Sequence, residues 1–412
     1  MSTLIHGARC AFGPNEAVLA DIEVSADRIT RIRKHPAPIR SSSPGSKEID
    51  LSGFLLMPGL INAHDHLHFS LFPRLANPPY QNYIEWGEDI HATLGEVIAL
   101  HNSVPRNVRL WWGGIRNLLC GVTTVCHHDL LWPELRRSDF PVRVLQRYGW
   151  AHSPALGGDL HPLRAATPVG CPFILHACEG VDETARRELW QLDWLGLLDE
   201  DAVLVHALAL DAEGAALLQQ RKTSIILCPS SNQFLFGTTP RISLLSGVNY
   251  LALGSDSPLT SAGDLLDEVR FATRACNLSS GNVYRMVTEV SAKILRLNNG
   301  EGSIMESGTA NFFAVRDTGD SPAETLQTLS AADVEFVMIG GRVQLASEAM
   351  VERFPFYEIN SLEPLSINGT TRWLRAPVAR LLQEAEQVLG RDDVRLGGKP
   401  VSISARAAVA HG

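Results

Sequence analysis

Three histidines stand at alternate positions in the segment Ile61-Asn62-Ala63-His64-Asp65-His66-Leu67-His68. They follow an apolar run, residues 53–61, that reads as a buried strand. Side chains alternate along a strand, so His64 and His66 share one face and Asp65 points to the other, outer face. Two imidazoles on one face can both reach a metal ion; zinc takes such nitrogens at about 2.0–2.1 Å. For an isolated His-X-His, two ordinary polar residues at a strand end are the plain alternative.

A metal site needs further donors, and the chain supplies them at the ends of later apolar runs. The segment CPFILHACEG ends in His176 with Glu179 three residues on, AVLVHALAL reaches His206, and NYLALGSDSP reaches Asp256. Three imidazoles, His64, His66 and His176, with the Asp256 carboxylate suit zinc, and also iron(II) or manganese. A metal held this way lowers the pKa of a bound water to about 7. A nearby carboxylate such as Glu179 can carry the proton to a leaving group, and His206 can polarise a substrate oxygen. Cys178 would share the face of His176 if that strand continued.

These residues have to be positioned by something regular. His176, His206, Cys228 and Asp256 are separated by 30, 22 and 28 residues, about one strand-helix unit each. The run VLVHALAL is followed by Asp211 as a helix N-cap and the helical stretch AEGAALLQQRK. This alternation predicts an α/β fold built as a (β/α)8 TIM-type barrel, with the site at the C-terminal strand ends. A doubly wound sheet is the alternative, but the chain has no Gly-rich GxGxxG turn to support it.

Residues 1–55 read as short strands and turns with a hairpin at Ser25-Ala26-Asp27 and a Pro/Ser loop over 35–48, and residues 302–350 return to short strands. The two ends together are expected to form a small β-sandwich around a catalytic barrel over 56–301. Residues 351–412 are expected as a C-terminal helical extension, carried by APVARLLQEAEQVLG.

The formal net charge of −9 argues against nucleic acid or an anionic membrane as partner. A small-molecule substrate is expected, and a homo-oligomer stays open. The seven cysteines contain no CxxC pair, so a disulfide framework or zinc knuckle is not expected and a reducing compartment fits. No signal-peptide pattern and no apolar run near the roughly 20 residues of a membrane span are seen. The protein is expected to be cytoplasmic.

Six segments, PGLINAHDH, GVTTV, LHACE, VLVHALAL, CPSSN and LGSDSP, occur in an order that resembles the amidohydrolase superfamily, in the branch of chlorohydrolases and of S-adenosylhomocysteine, guanine and cytosine deaminases. The resemblance covers about residues 1–350. It implies that His64, His66, His176 and Asp256 bind the metal, that Glu179 is the proton shuttle and that His206 contacts the substrate. None of the five lysines lies at a candidate strand end where a carbamylated bridging lysine would be needed, which points to one metal ion rather than two. The stretch before CPFILHACE is too short for a full strand-helix unit, so the fourth unit is expected to be shortened or distorted. The substrate-binding residue that the family often carries there is assigned to His152.

His68 and His128 are further candidate substrate contacts, against local loop or core roles; His127 is the alternative to His128. Residues 77–91, rich in aromatic residues and proline, are expected either to cover the site or to pack as a surface loop. Trp111 and Trp112 are expected to pack their own helix, and the cysteines to be inert. The implied reaction is attack of a metal-activated water on an sp2 carbon with release of a nitrogen leaving group. Deamination of a nitrogen heterocycle is the first reading and hydrolysis of a cyclic or linear amide the second; a non-catalytic binding protein on the same fold is disfavoured.

Overall fold

The computed structural model describes residues 2–36, 47–156, 158–353 and 360–403, so most of the Pro/Ser stretch lies outside the described residues. Eight short parallel strands run through the middle of the chain. They are β1 (Leu60–Asp65), β2 (Val122–His127), β3 (Arg143–Val144), β4 (Gly149–Ala151), β5 (Phe173–Ala177), β6 (Ala202–His206), β7 (Ser224–Leu227) and β8 (Leu251–Leu253). Strands β1, β2, β5, β6 and β7 are buried along their whole length. That is why they read as near-continuous apolar runs rather than alternating ones.

The hydrogen bonds divide these strands into two parallel sheets, β1-β2-β3 and β4-β5-β6-β7-β8. The last strand comes back to the first: Asp256 N–H donates to the His64 carbonyl at 3.1 Å. A Cβ on Gly254 would lie 2.5 Å from the Cβ of His64, so only glycine permits this approach. Only Leu145–Tyr148 separate β3 from β4, and among the described residues no ladder joins those two strands. A parallel pair needs a crossover of about a dozen residues. The chain therefore steps directly from the edge of one sheet to the edge of the other, in the region where the sequence is too short for a full unit.

Helices connect the strands with the caps their sequences announce. Asp211 accepts from Gly214 N–H at the start of the helix Ala212–Arg221, and Asp182 caps Glu183–Trp194 through Ala185 N–H. The helix Arg106–Leu119 packs behind β2 with every residue from Val108 to Leu119 buried. Trp111 and Trp112 lie within it, and Trp112 Nε1 donates to the Leu381 carbonyl at 3.3 Å.

Both chain ends join one hydrogen-bonded sheet of twelve strands, rather than two separate small sheets. Its junction is strand Phe54–Pro58, parallel to Ser2–Ala11 and antiparallel to Phe312–Arg316. The C-terminal segment departs from a purely helical extension. It contains the helix Val378–Leu389, but also the hairpin Glu363–Ile367/Thr370–Leu374 and the hairpin Arg395–Leu396/Lys399–Ser402, all in the same sheet. The first turn is Asn368-Gly369 and the second Gly397-Gly398, each with both residues at positive φ. These are two-residue turns whose twist matches the flanking strands, so the hairpin signal is present in the sequence.

Candidate active site

His64 and His66 sit at the end of β1, with Asp65 turned to the opposite side as strand alternation requires. On that outer face of the strand Asp65 is fully buried, against Arg116 and Asn117 of the helix Arg106–Leu119. His176 lies on β5, His206 ends β6, and Asp256 stands three residues past β8. Cys178 does not extend the His176 face. Its φ of +56° ends the strand, and the turn it makes brings Glu179 to the cavity. His206 and Asp256 also have positive φ, at 73° and 52°. Such values are uncommon for residues other than glycine and gather at functional sites, where surrounding contacts hold them.

Four of these side chains converge. Ligand atoms of His64, His66 and His176 all lie within 4.8 Å of one another. His64 Nε2 is 3.2 Å from His176 Nε2, and Asp256 Oδ1 is 3.7 Å from Nε2 of both His64 and His66. Two nitrogens bound tetrahedrally to one zinc at about 2.0–2.1 Å stand about 3.3 Å apart, so the donor set fits a single divalent ion. Burial and the neighbouring histidines hold His66 and His176 well below the usual histidine range, in the neutral form that ligates metals. Burial pushes the Asp256 carboxyl up. The hydrogen bond with His64 and the nearby His206, His64 and His66 outweigh it and hold the group well below the usual carboxylate range.

A second pair faces this cluster. His206 Nε2 is 3.6 Å from Glu179 Oε1, and Asn232 Oδ1 lies 2.9 Å from His206 Nδ1, fixing the ring from behind. Burial, with Asp256 and Glu188 as like charges, pushes the Glu179 carboxyl up to about 7 despite the opposing pull of His206. Glu188 was not singled out from the sequence. Its Oε2 accepts from Cys178 N–H and its Oε1 from Tyr83 Oη, each at 2.7 Å, so it fixes the turn that carries Glu179. Thr260 is a further unanticipated contact, donating to Asp256 Oδ2 at 3.2 Å.

His66, His176, Glu179, His206 and Asp256 open onto a cavity of about 820 Å³. Phe69, Phe72, Trp86, Ile90 and Leu259 give it an apolar wall, and His68, His128 and His152 also line it. Residues 77–91 cover the site rather than forming a separate surface loop. The segment Gln81–Tyr83 is tied to the Glu179 turn by Tyr83 N–H to the Glu179 carbonyl and Val181 N–H to the Gln81 carbonyl, at 3.2 and 2.8 Å. His128 packs against His176 with ring centroids 4.3 Å apart, its Nε2 2.9 Å from the Ala151 carbonyl. His68, His127 and Asp129 form another close group. His127 Nδ1 already accepts from Leu67 N–H at 3.3 Å, which gives that ring a part in holding the turn after β1.

The chain's resemblance to known proteins points the same way. The amidohydrolase family model matches residues 162–344. A 5-methylthioadenosine/S-adenosylhomocysteine deaminase from Thermococcus kodakarensis is 23% identical over 83% of this chain and 94% of its own length. The enzyme of that name from Pyrococcus furiosus is 27% identical over 73% of this chain and 86% of its own. The chain is similar to amidohydrolases over this span. Among solved structures, the chain superposes on atrazine chlorohydrolase from Arthrobacter aurescens complexed with zinc with a TM-score of 0.69 at 17% identity, covering 94% of this chain and 99% of that one. An adenosine deaminase from Xanthomonas campestris with bound zinc gives 0.67 at 18%, covering 93% and 97%. The protein is a metal-dependent hydrolase. Among the described residues, no helix is long and apolar enough to cross a membrane.

Proposed function

We propose that this protein releases ammonia from an amino-substituted nitrogen heterocycle, using one divalent metal ion, zinc, held by His64, His66, His176 and Asp256. The observation that carries the reading is the convergence of three imidazoles and one carboxylate, brought from three strand ends, beside a carboxyl that burial pushes up to about 7. The names of the deaminase relatives support the C–N bond as the one cleaved, and the zinc-bound neighbours support the metal. When bound, the ion lowers the pKa of a water to about 7 and so supplies a nucleophile at neutral pH.

The chain's own residues do the rest. Glu179 takes a proton from the attacking water and returns it to the leaving nitrogen. A carboxyl near 7 is suited to both acts, because neither form is far from the working pH. His206, oriented by Asn232, faces the same point and holds the oxygen that develops on the ring carbon. Asp256, kept ionised, shares the proton work and ligates the ion. His68, His128 and His152 face the substrate, and the aromatic wall packs its apolar part. Water adds to the ring carbon, the C–N bond breaks, ammonia leaves and the ring keeps a carbonyl.

The scaffold reading that goes with this is a (β/α)8 barrel, open or distorted between β3 and β4, formed by β1 to β8. The return of Asp256 N–H to the His64 carbonyl supports it. A panel of amino-purines, amino-pyrimidines and amino-triazines assayed for ammonia, beside cyclic and linear amides assayed for acid, tests the reaction. Ammonia from a ring substrate is expected. Acid from amides alone would replace deamination with amide hydrolysis.

A further inference from the structure

Behind the proposed ligands lies a buried polar cluster that touches neither the cavity nor the proposed metal position. Asp65 stands between His64 and His66 and is fully buried. Its Oδ1 accepts from Arg116 Nη2 at 2.5 Å, and its Oδ2 accepts from Asn117 Nδ2 at 2.6 Å and from Asn62 Nδ2 at 3.3 Å. Arg116 then reaches the other ligand-bearing segment. Its Nη2 donates to the Asp256 carbonyl at 3.0 Å and to Ser255 Oγ at 3.3 Å, and its Nη1 to the Gly263 carbonyl. Asn62 closes the loop: its Nδ2 donates to Ser255 Oγ at 2.8 Å and its Oδ1 accepts from Ser255 N–H at 3.0 Å.

The contacts run from the back of β1 to the turn after β8, 193 residues apart in sequence. That turn holds Asp256 at a positive φ, where a free chain would not keep it. One guanidinium grips the side chain between the two histidines and the carbonyl of the aspartate. The distance from His64 and His66 to Asp256 is therefore set from behind, by a rigid planar fork on a helix buried from Val108 to Leu119.

We infer that Arg116 and Asp65 are positioning residues that preset the spacing between the His64/His66 pair and Asp256, so that metal affinity and turnover depend on them beyond any contribution to stability. This rests on the ligand assignment proposed above. A buried ion pair is weak evidence for stability, since two well-packed apolar residues in its place are often neutral or stabilising, whereas removing one partner leaves a buried charge. Supporting partners of metal ligands, by contrast, typically matter 10- to 100-fold in affinity or activity.

The test compares Asp65→Leu/Arg116→Met with wild type, Arg116→Lys, and Ser255→Ala as a milder lesion in the same cluster. Thermal midpoints are measured on metal-free protein, zinc affinity by competition with a chromogenic chelator, and kcat separately from KM. The double variant is expected to melt near wild type yet bind zinc about 10- to 100-fold more weakly, with the loss of turnover in kcat. Arg116→Lys keeps the charge but not the fork and should not rescue affinity. Ser255→Ala, should the double variant not fold, is expected to fold normally and weaken zinc severalfold. Wild-type zinc affinity in a folded double variant, or in Ser255→Ala if only that one folds, would overturn the inference. His64→Ala separates it from the ligand assignment: if that variant binds zinc as wild type does, the ligand set itself is wrong.

Discussion

Glu179, the proposed proton shuttle, concentrates the chemistry at the scale of single residues. Its carboxyl is held near 7 by burial, close to His206 and within the field of Asp256. Glu179→Gln keeps the shape and the hydrogen-bonding reach but cannot carry a proton. It should retain zinc and lose about 10²–10⁴-fold in kcat, as measured by ammonia release at saturating substrate alongside metal analysis. The wild-type rate should fall as pH drops below about 7, because protonation removes the base that the first proton transfer requires. If Glu179→Gln turns over at full rate, the shuttle role is wrong. The residues proposed to carry this chemistry, which the structure brings together, were legible in the sequence because each sits at or just past the end of an apolar run, where alternation and the strand end together say which way it faces. Their supports were not. Asp65 and Arg116 are 51 residues apart, and Asn62 and Ser255 are 193 apart, and no local pattern marks such pairs. Glu188 looked like any helix-face carboxylate until Tyr83 and Cys178 N–H were seen to meet it.

Strand ends and turns decide the geometry at the scale of elements. Gly254 lets β8 lie against His64, and an added Cβ would also meet the His64 backbone nitrogen and oxygen, both at 2.9 Å. Gly254→Ala should cost about 1–3 kcal/mol by overpacking and should weaken zinc binding as well, since the displaced atoms belong to a proposed ligand. Denaturant melts with and without zinc would show both effects, and a variant as stable as wild type would argue against the close approach of the two strands. Gly369 tests a different point. It has a φ of +80° with open space around its Cβ position, so Gly369→Ala should cost about 1 kcal/mol from backbone strain alone and leave activity intact. The hairpin it closes was missed because the helical run that follows, residues 376–390, dominated the reading of the tail, although Asn-Gly is the strongest short hairpin signal. The brief β3 and β4 were hard to place for the opposite reason: strands of two and three residues carry almost no periodicity.

Across the whole molecule, a set of ionisable groups lies deep inside, and their shifts contribute to how stability depends on pH. Burial holds Glu179 near 7 and Glu268, which binds Ser230, near 8. Both lie above the unfolded carboxyl value, so the folded chain keeps protons that the unfolded chain releases. Their stabilising effect is complete below about 4.5 and fades as pH rises toward 8. His66 and His176 are shifted the other way, and their contribution grows as pH rises to about 6.5. The contribution of Glu179 and Glu268 should therefore make metal-free protein lose stability between about pH 6.5 and 8. Glu268→Gln should flatten that decline in thermal melts; an unchanged slope would mean that Glu268 is not held protonated. The proposed deaminase, however, depends on a metal held at the ends of β1 and β5 and in the turn after β8. The most direct measurement is ammonia release from the active member of the heterocycle panel by zinc-loaded protein, by chelator-stripped protein and by stripped protein given zinc again. Release is predicted with zinc, loss on stripping and recovery on readdition; full activity in metal-free protein, or no ammonia from any ring substrate with zinc bound, would contradict the account.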